Sequence, residues 1–191
     1  MRRGEALLTL SEYLSTMGIL SCNRNPYLPS LEDLGFTWGE MTALLDKKEL
    51  FYCKAYRKRT VYLSPKAYFL LRQCRQRPAL TGEAAVLYEL LGQTGPIETA
   101  GLKRLACLET KTFQRAFDFL LQNLYATALE NGTIHNPNWS TFRYGTEQAW
   151  ESVAAEQPLS SDPEVELREL LGRTMAEPEI SRLVSAVRTG L

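Results

Sequence analysis

The sequence predicts an α+β fold, mostly helical, with two small β-hairpins and a pair of helices at its C-terminal end. Three observations carry this. Apolar residues recur at spacings of three and four along most of the chain, which is the helical period. Residues 51–63 alternate instead, with Phe51, Cys53, Ala55, Val61 and Leu63 on one parity and Tyr52, Lys54, Tyr56, Lys58, Thr60 and Tyr62 on the other. A second hairpin-like stretch runs from Tyr125–Leu129 to Trp139–Tyr144.

Taken in order, Ala6, Leu7, Leu10, Tyr13, Leu14 and Met17 form the first helical stripe, which Gly18 ends. Residues 19–36 read as irregular, broken by Asn23, Asn25, Pro26 and Pro29, with one short helix over Ser30–Leu34. Thr37 and Glu40 form a capping box for the next helix, whose buried stripe is Trp38, Met41, Leu44, Leu45 and the stem of Lys48. Ser64-Pro65 caps a helix running to about Arg75. Beyond Pro78 come a helix around Ala84, Leu87, Tyr88 and Leu91, stopped by Gly92 and Gly95-Pro96, and a short helix over Ile97–Ala106. A longer helix from Thr110 follows, burying Phe113, Phe117, Leu120, Leu121 and Leu124. In the second hairpin, Asn131-Gly132 and Pro137 mark a loop, because both are poor in a regular strand. Thr146 caps a helix with Ala149, Trp150 and Val153; Asp162-Pro163 and Glu177-Pro178 open the last two.

Helix, short helix, helix, hairpin, helix occurs twice. That is the order of a winged helix-turn-helix unit, and it divides the chain into residues 1–77, a second unit at 78–157 and an acidic helical hairpin at 158–191. One continuous α+β domain with two unrelated hairpins is the alternative. Ile180, Leu183, Val184 and Val187 give the last helix an apolar stripe. It must be covered by the body of the chain or by a second copy in a homodimer.

The alternation also constrains the first hairpin. A two-residue turn at Arg57-Lys58 sets Cys53 opposite Tyr62 and Lys54 opposite Val61, mixing the faces. A three-residue loop over Tyr56, Arg57 and Lys58 sets 55 opposite 59, 53 opposite 61 and 51 opposite 63. Phe51, Cys53, Val61 and Leu63 then share a core face, and Tyr52, Lys54, Thr60 and Tyr62 a solvated one.

The 191 residues carry no formal net charge, yet from Lys47 to Arg77 there are ten cations and one acid, Glu49. Aromatics and cations on one hairpin suit a wing that touches a nucleic-acid backbone, with Lys54, Tyr56, Arg57, Lys58 and Arg59 as contacts. The helix beside it exposes Gly39, Glu40, Thr42, Ala43 and Asp46, a poor partner for DNA. The helix at 110–122 exposes Lys111, Gln114, Arg115, Asp118 and Gln122, of which Lys111, Gln114 and Arg115 suit phosphate or base edges. Arg143 on the second hairpin completes the set. The expected partner is double-stranded DNA. The alternatives are that these cations protect an edge strand or contact the chain's own acidic half.

Nothing comparable points to catalysis. The cysteines Cys22, Cys53, Cys74 and Cys107 form no close pair, and His135 is the only histidine, so no metal site is expected. With no glycine-rich phosphate loop, no cofactor is expected and no residue is assigned as catalytic. Glu32, Asp33 and Glu40 cluster near the first helix-turn-helix, where carboxylates act as general acids and bases or, more simply, as helix caps. No apolar run spans a bilayer and the N-terminus lacks a signal-peptide pattern, so a soluble cytoplasmic protein without a membrane partner is expected.

Several pieces, in order, resemble the AlkZ-related winged-helix proteins, relatives of the bacterial glycosylase AlkZ that unhooks interstrand DNA crosslinks. They are Leu28-Pro29-Ser30-Leu31; Phe51-Tyr52-Cys53-Lys54 with Arg57-Lys58-Arg59 and Leu63-Ser64-Pro65; Phe113 to Gln122 with Tyr125; Trp139; and Thr146-Glu147-Gln148-Ala149-Trp150. The resemblance covers residues 28–150 and implies tandem winged helices with a role tied to DNA repair or regulation. The glycosylases share a Gln-x-Gln or Gln-x-Asp motif that positions water. Here Gln73 and Gln76 stand as Gln-x-x-Gln, and the chain has about half the glycosylase length, so no catalytic residue carries over. A non-catalytic DNA binder is the reading that follows. A reduced glycosylase for alkylated bases, and a scaffold that docks proteins through its acidic end, are the alternatives.

Overall fold

A computed structural model describes residues 8–185. The expectations for Ala6, Leu7 and Val187 lie outside these residues. The fold is α+β, with two antiparallel sheets among the described residues. Helix α1 (Leu10–Met17) starts at a capping box, Thr9 and Glu12, and stops at Gly18. Gly18 has φ +83°, and a Cβ there would come within 2.9 Å of Leu170, so the position needs glycine twice over.

The first departure from expectation follows at once. Ile19–Ser21 is not irregular but a strand, β1, too short to show alternation. The expected short helix at Ser30–Leu34 is a hydrogen-bonded turn, in which Asp33 accepts from the Ser30 backbone and hydroxyl. Helix α2 (Trp38–Asp46) has its Thr37–Glu40 capping box, though Thr42 is buried rather than exposed.

Strands β2 (Phe51–Tyr56) and β3 (Arg59–Leu63) form the first hairpin. Phe51 pairs with Leu63 and Cys53 with Val61, as the alternation requires, yet the turn is the two-residue one, with Tyr56 opposite Arg59. Both hold because a bulge sets Lys54 and Ala55 opposite Thr60 alone. The three-residue loop is thereby corrected. Arg57 and Lys58 occupy the left-handed region at φ 50° and 55°, the backbone of a type I′ turn made without glycine. Past the bulge the alternation flips, and Tyr56 turns inward to become 1% exposed.

The sheet order is β1-β3-β2. Contrary to the one-sided expectation, both of its faces are buried. Ile19, Phe51, Cys53, Val61 and Leu63 point into one hydrophobic cluster, and Leu20, Tyr52 and Tyr62 into another. The first cluster is closed by α3 (Pro65–Cys74), Trp150 and the C-terminal helices α8 (Pro163–Leu171) and α9 (Glu177–Val184). The second is closed by α1 and α2, and by α4 (Gly82–Thr94), α5 (Thr99–Ala106) and α6 (Thr110–Gln122). Thus the apolar stripe of the C-terminal helices, including Leu167, Leu171, Ile180 and Leu183, is spent within the chain.

The second hairpin pairs β4 (Ala126–Asn136) with β5 (Trp139–Thr146). Asn131-Gly132 lies inside the strand, not in a loop; register shifts absorb both the glycine and its neighbours, and the turn is Pro137-Asn138. Ile97 makes a bridge to Tyr144 of β5. Thr146 caps α7 (Glu147–Glu151), where Trp150 is fully buried but Ala149 is exposed; Val153 lies beyond the helix and is exposed as well.

Buried polar bonds fix the two hairpins to each other. The Thr127 hydroxyl accepts from the Tyr52 N–H at 3.0 Å and donates to the Tyr52 carbonyl at 2.8 Å, so one side chain satisfies an edge of β2. Trp150 Nε1 donates to the Leu50 carbonyl at 3.0 Å. Replacing Thr127 by the isosteric valine keeps the volume but orphans two buried backbone groups, at about 1–3 kcal/mol each. We expect Thr127→Val to lower the unfolding free energy by at least about 2 kcal/mol, read as a lower urea midpoint with an unchanged m value. A loss below about 0.5 kcal/mol, within the range of an inert surface change, would show that the bridge contributes nothing.

Candidate nucleic-acid interface

Helix α6 lies along β2. Its residues Gln114, Asp118 and Gln122 are spaced by four and so form one row. Asp118 meets Lys54 Nζ at 2.7 Å, joining the first hairpin to α6. Clefts open on both sides of this ion pair, and Lys54 lines each. One, about 340 Å³, lies among Tyr52, Lys103, Gln114, Phe117 and Tyr144. The other, about 740 Å³, lies among Arg57, Lys58, Phe119 and Gln122. Desolvation, reinforced by the neighbouring Tyr52, pushes the Tyr144 hydroxyl far up, so it stays protonated.

The predicted contact residues divide into two groups. Lys58, Arg59, Lys111, Gln114 and Arg115 are exposed and have no ion-pair partner among the described residues. The remaining four are engaged. Besides the Lys54–Asp118 pair, Arg143 faces Glu130 across the second hairpin at 3.6 Å. The Arg57 guanidinium holds both oxygens of Glu179, at 2.9 and 2.8 Å, and stacks 3.6 Å from the centre of the Tyr27 ring. Tyr56 donates its hydroxyl to the same carboxylate. The hydroxyl of Tyr56 is pushed up to about 12, first by burial and then by Glu179.

The basic segment therefore spends part of its charge inside the molecule. Arg77 bonds Glu147 at 2.8 Å, where the carboxylate is only 2% exposed, and Arg72 approaches Glu151 at 4.0 Å. Hydrophobic burial is what seats α9 over the hairpin: Ile180 and Leu183 contribute about 1.5–3 kcal/mol each. The Glu179 clamp then fixes how the helix sits.

Sequence reasoning missed Lys103, Arg75 and Arg182. Lys103 sits on α5 and donates to the Thr110 hydroxyl at 2.5 Å, tying α5 to the start of α6. Arg75 is one cation in a run of many, with nothing in the sequence to single it out. Arg182 lies in the end read as acidic. The carboxylates considered for catalysis have structural partners. Glu40 closes the α2 cap at 2.7 Å from the Thr37 N–H, and Arg24 bridges Glu32 and Asp33 at 3.3 and 3.1 Å. The Ser30 hydroxyl and N–H, more than Arg24, hold Asp33 below the usual carboxylate range.

Hydrogen bonds from Arg57 and then Tyr56 hold the Glu179 carboxyl down at about 2, against an ordinary value of 4.5. A carboxylate with a depressed folded-state pKa stabilises the fold above its unfolded pKa and loses that contribution as pH falls through the folded one. Glu179→Gln is therefore expected to be less stable than the native chain by a constant margin from pH 7 to 5. That margin should shrink as pH falls from about 4.5 towards 2. Urea denaturation across this range reads it out, and a pH-independent margin would mean that the charge of Glu179 is not what the clamp uses.

No protein-family model, no curated protein and no solved structure matches this chain.

Proposed function

We propose that this protein is a non-catalytic binder of double-stranded DNA, built from two tandem winged helix-turn-helix units. The topology supports the architecture. In the first half a strand between α1 and α2 pairs with β3, giving the order β1-β3-β2. In the second half Ile97, between α4 and α5, bridges β5, which pairs with β4. Each hairpin is followed by a helix capped by a hydroxyl, Ser64 or Thr146. The halves share no residue pattern but repeat one connectivity. Membership of the AlkZ-related proteins, as the order of motifs implies, belongs to the same proposal.

One observation carries the DNA reading: the Lys54–Asp118 pair sets the hairpin of the first unit against the helix of the second. The hairpin supplies Lys58 and Arg59 beside an acidic α2; α6 supplies Lys111, Gln114 and Arg115. From Lys111 to Gln122 the helix rises about 16 Å, close to the rise of five base pairs. Cations at the two ends of the seam thus reach separate phosphates along one groove, while Gln114 is free for a base edge.

Fluorescence anisotropy with labelled duplexes at several salt concentrations tests this. The double variant Lys111→Gln/Arg115→Gln should weaken binding similarly for unrelated sequences. It should also reduce the slope of log affinity against log salt by about 0.9 for each phosphate that the variant no longer neutralises. An unchanged slope, or no duplex affinity in the native protein at low salt, would overturn the reading.

A further inference from the structure

The larger cleft holds more positive charge than its surroundings neutralise. Five of the residues lining it are cations: Lys54, Arg57, Lys58, Arg75 and Arg182; among the described residues lining it there is no carboxylate. Lys54 is answered by Asp118 and Arg57 by Glu179. Arg182 reaches only the Glu179 oxygen that already serves Arg57 Nε and Tyr56, at 3.8 Å. Lys58 is exposed with no carboxylate near it among the described residues. Arg75, 5% exposed, donates to the carbonyls of Ala55, Leu183 and Gln122, and its Nε has no partner among the described residues. Lys58, Arg75 and Arg182 thus share less than one carboxylate between them.

Size and walls narrow the chemistry further. About 740 Å³ falls in the range of small-molecule sites. Pro78, Phe119 and Pro178 form apolar wall, while the Ser181 hydroxyl and the Asn123 amide already donate to Glu177 and to the Phe119 carbonyl. A wall of this kind suits a flat organic body, and the two under-neutralised cations Lys58 and Arg182 suit a phosphate monoester, which carries about −1.5 to −2 charges at neutral pH.

We infer that this cleft binds a terminal phosphate, a phosphate monoester carried on an organic body of about nucleotide size. The monoester has two sources, a free nucleotide or the 5′-phosphorylated end of a DNA strand. The inference does not rest on the duplex-binding reading: Lys58 is common to both, but the duplex reading is tested at Lys111 and Arg115 of α6, which do not line this cleft.

Isothermal titration calorimetry on the full chain distinguishes the outcomes. The probes are adenosine 5′-monophosphate, adenosine, inorganic phosphate, and one short single strand prepared with and without a 5′-phosphate. A free-nucleotide site should bind the monophosphate more than tenfold tighter than adenosine, with phosphate alone weaker but detectable. A strand-end site should prefer the 5′-phosphorylated oligonucleotide more than tenfold over its hydroxyl form. Lys58→Gln and Arg182→Gln, both exposed positions remote from the core, should each weaken the preferred probe at least fivefold, with Tm unchanged within a few degrees. Should one variant fail to fold, the other carries the same test. Equal binding with and without the monoester, no binding of any probe, or full affinity in both variants would overturn the inference. Because the strand carries no duplex, its failure leaves the duplex reading standing, and the reverse holds too.

Discussion

One buried guanidinium holds the molecule's parts in register. Arg75 follows the last turn of α3 and donates to the carbonyl of Ala55 in the bulge of β2, of Leu183 near the end of α9 and of Gln122 at the end of α6. Burying a lone cation costs several kcal/mol unless something answers its charge. Here the answer comes from helix ends, each carrying about half a negative charge on its free carbonyls. Burial lowers the pKa of Arg75, but arginine has room to spare and stays charged. The hairpin, the α6 helix and the C-terminal helix converge on this one group. Everything proposed for the seam between β2 and α6 presupposes their alignment.

The sheet is the second constraint. With Phe51 stacked on Tyr68 at 4.1 Å on one side and Tyr52 packed against Tyr62, Phe142 and Tyr144 on the other, β1-β3-β2 divides the core. Each hydrophobic cluster draws residues from both halves of the sequence. The two proposed units are thus repeats in connectivity but not in packing, since neither could keep its sheet dry alone.

Helix starts were the most legible part of the sequence, because the Thr37, Ser64, Thr146 and Asp162 caps depend on residues three apart and no tertiary contact. The pairing of 51 with 63 and 53 with 61 was legible for the same reason, being forced by alternation. What failed was inference from polarity to exposure. Tyr52, Tyr62 and Lys54 read as a solvated face, but the tyrosines are covered by the second half and Lys54 finds Asp118, sixty-four positions away. The bulge was invisible because it resolves a conflict between turn and register that either choice alone leaves standing. Of the candidate contacts, residue type and face were legible for Lys111, Gln114 and Arg115 on a helix. The hairpin cations were not, since which of them is consumed by Glu179 depends on where α9 lands.

The two-sided sheet has a consequence for how the chain is made. On a ribosome adding about 5–20 residues per second, the first hairpin is complete well before Phe142 and Tyr144 emerge. For roughly 4–16 s the tyrosine face of β2 and β3 has only part of its cover. During that interval the ribosome-bound chain presents a tyrosine-rich surface flanked by arginine and lysine. Like charges on such an edge oppose pairing between nascent chains until its rings gain their partners.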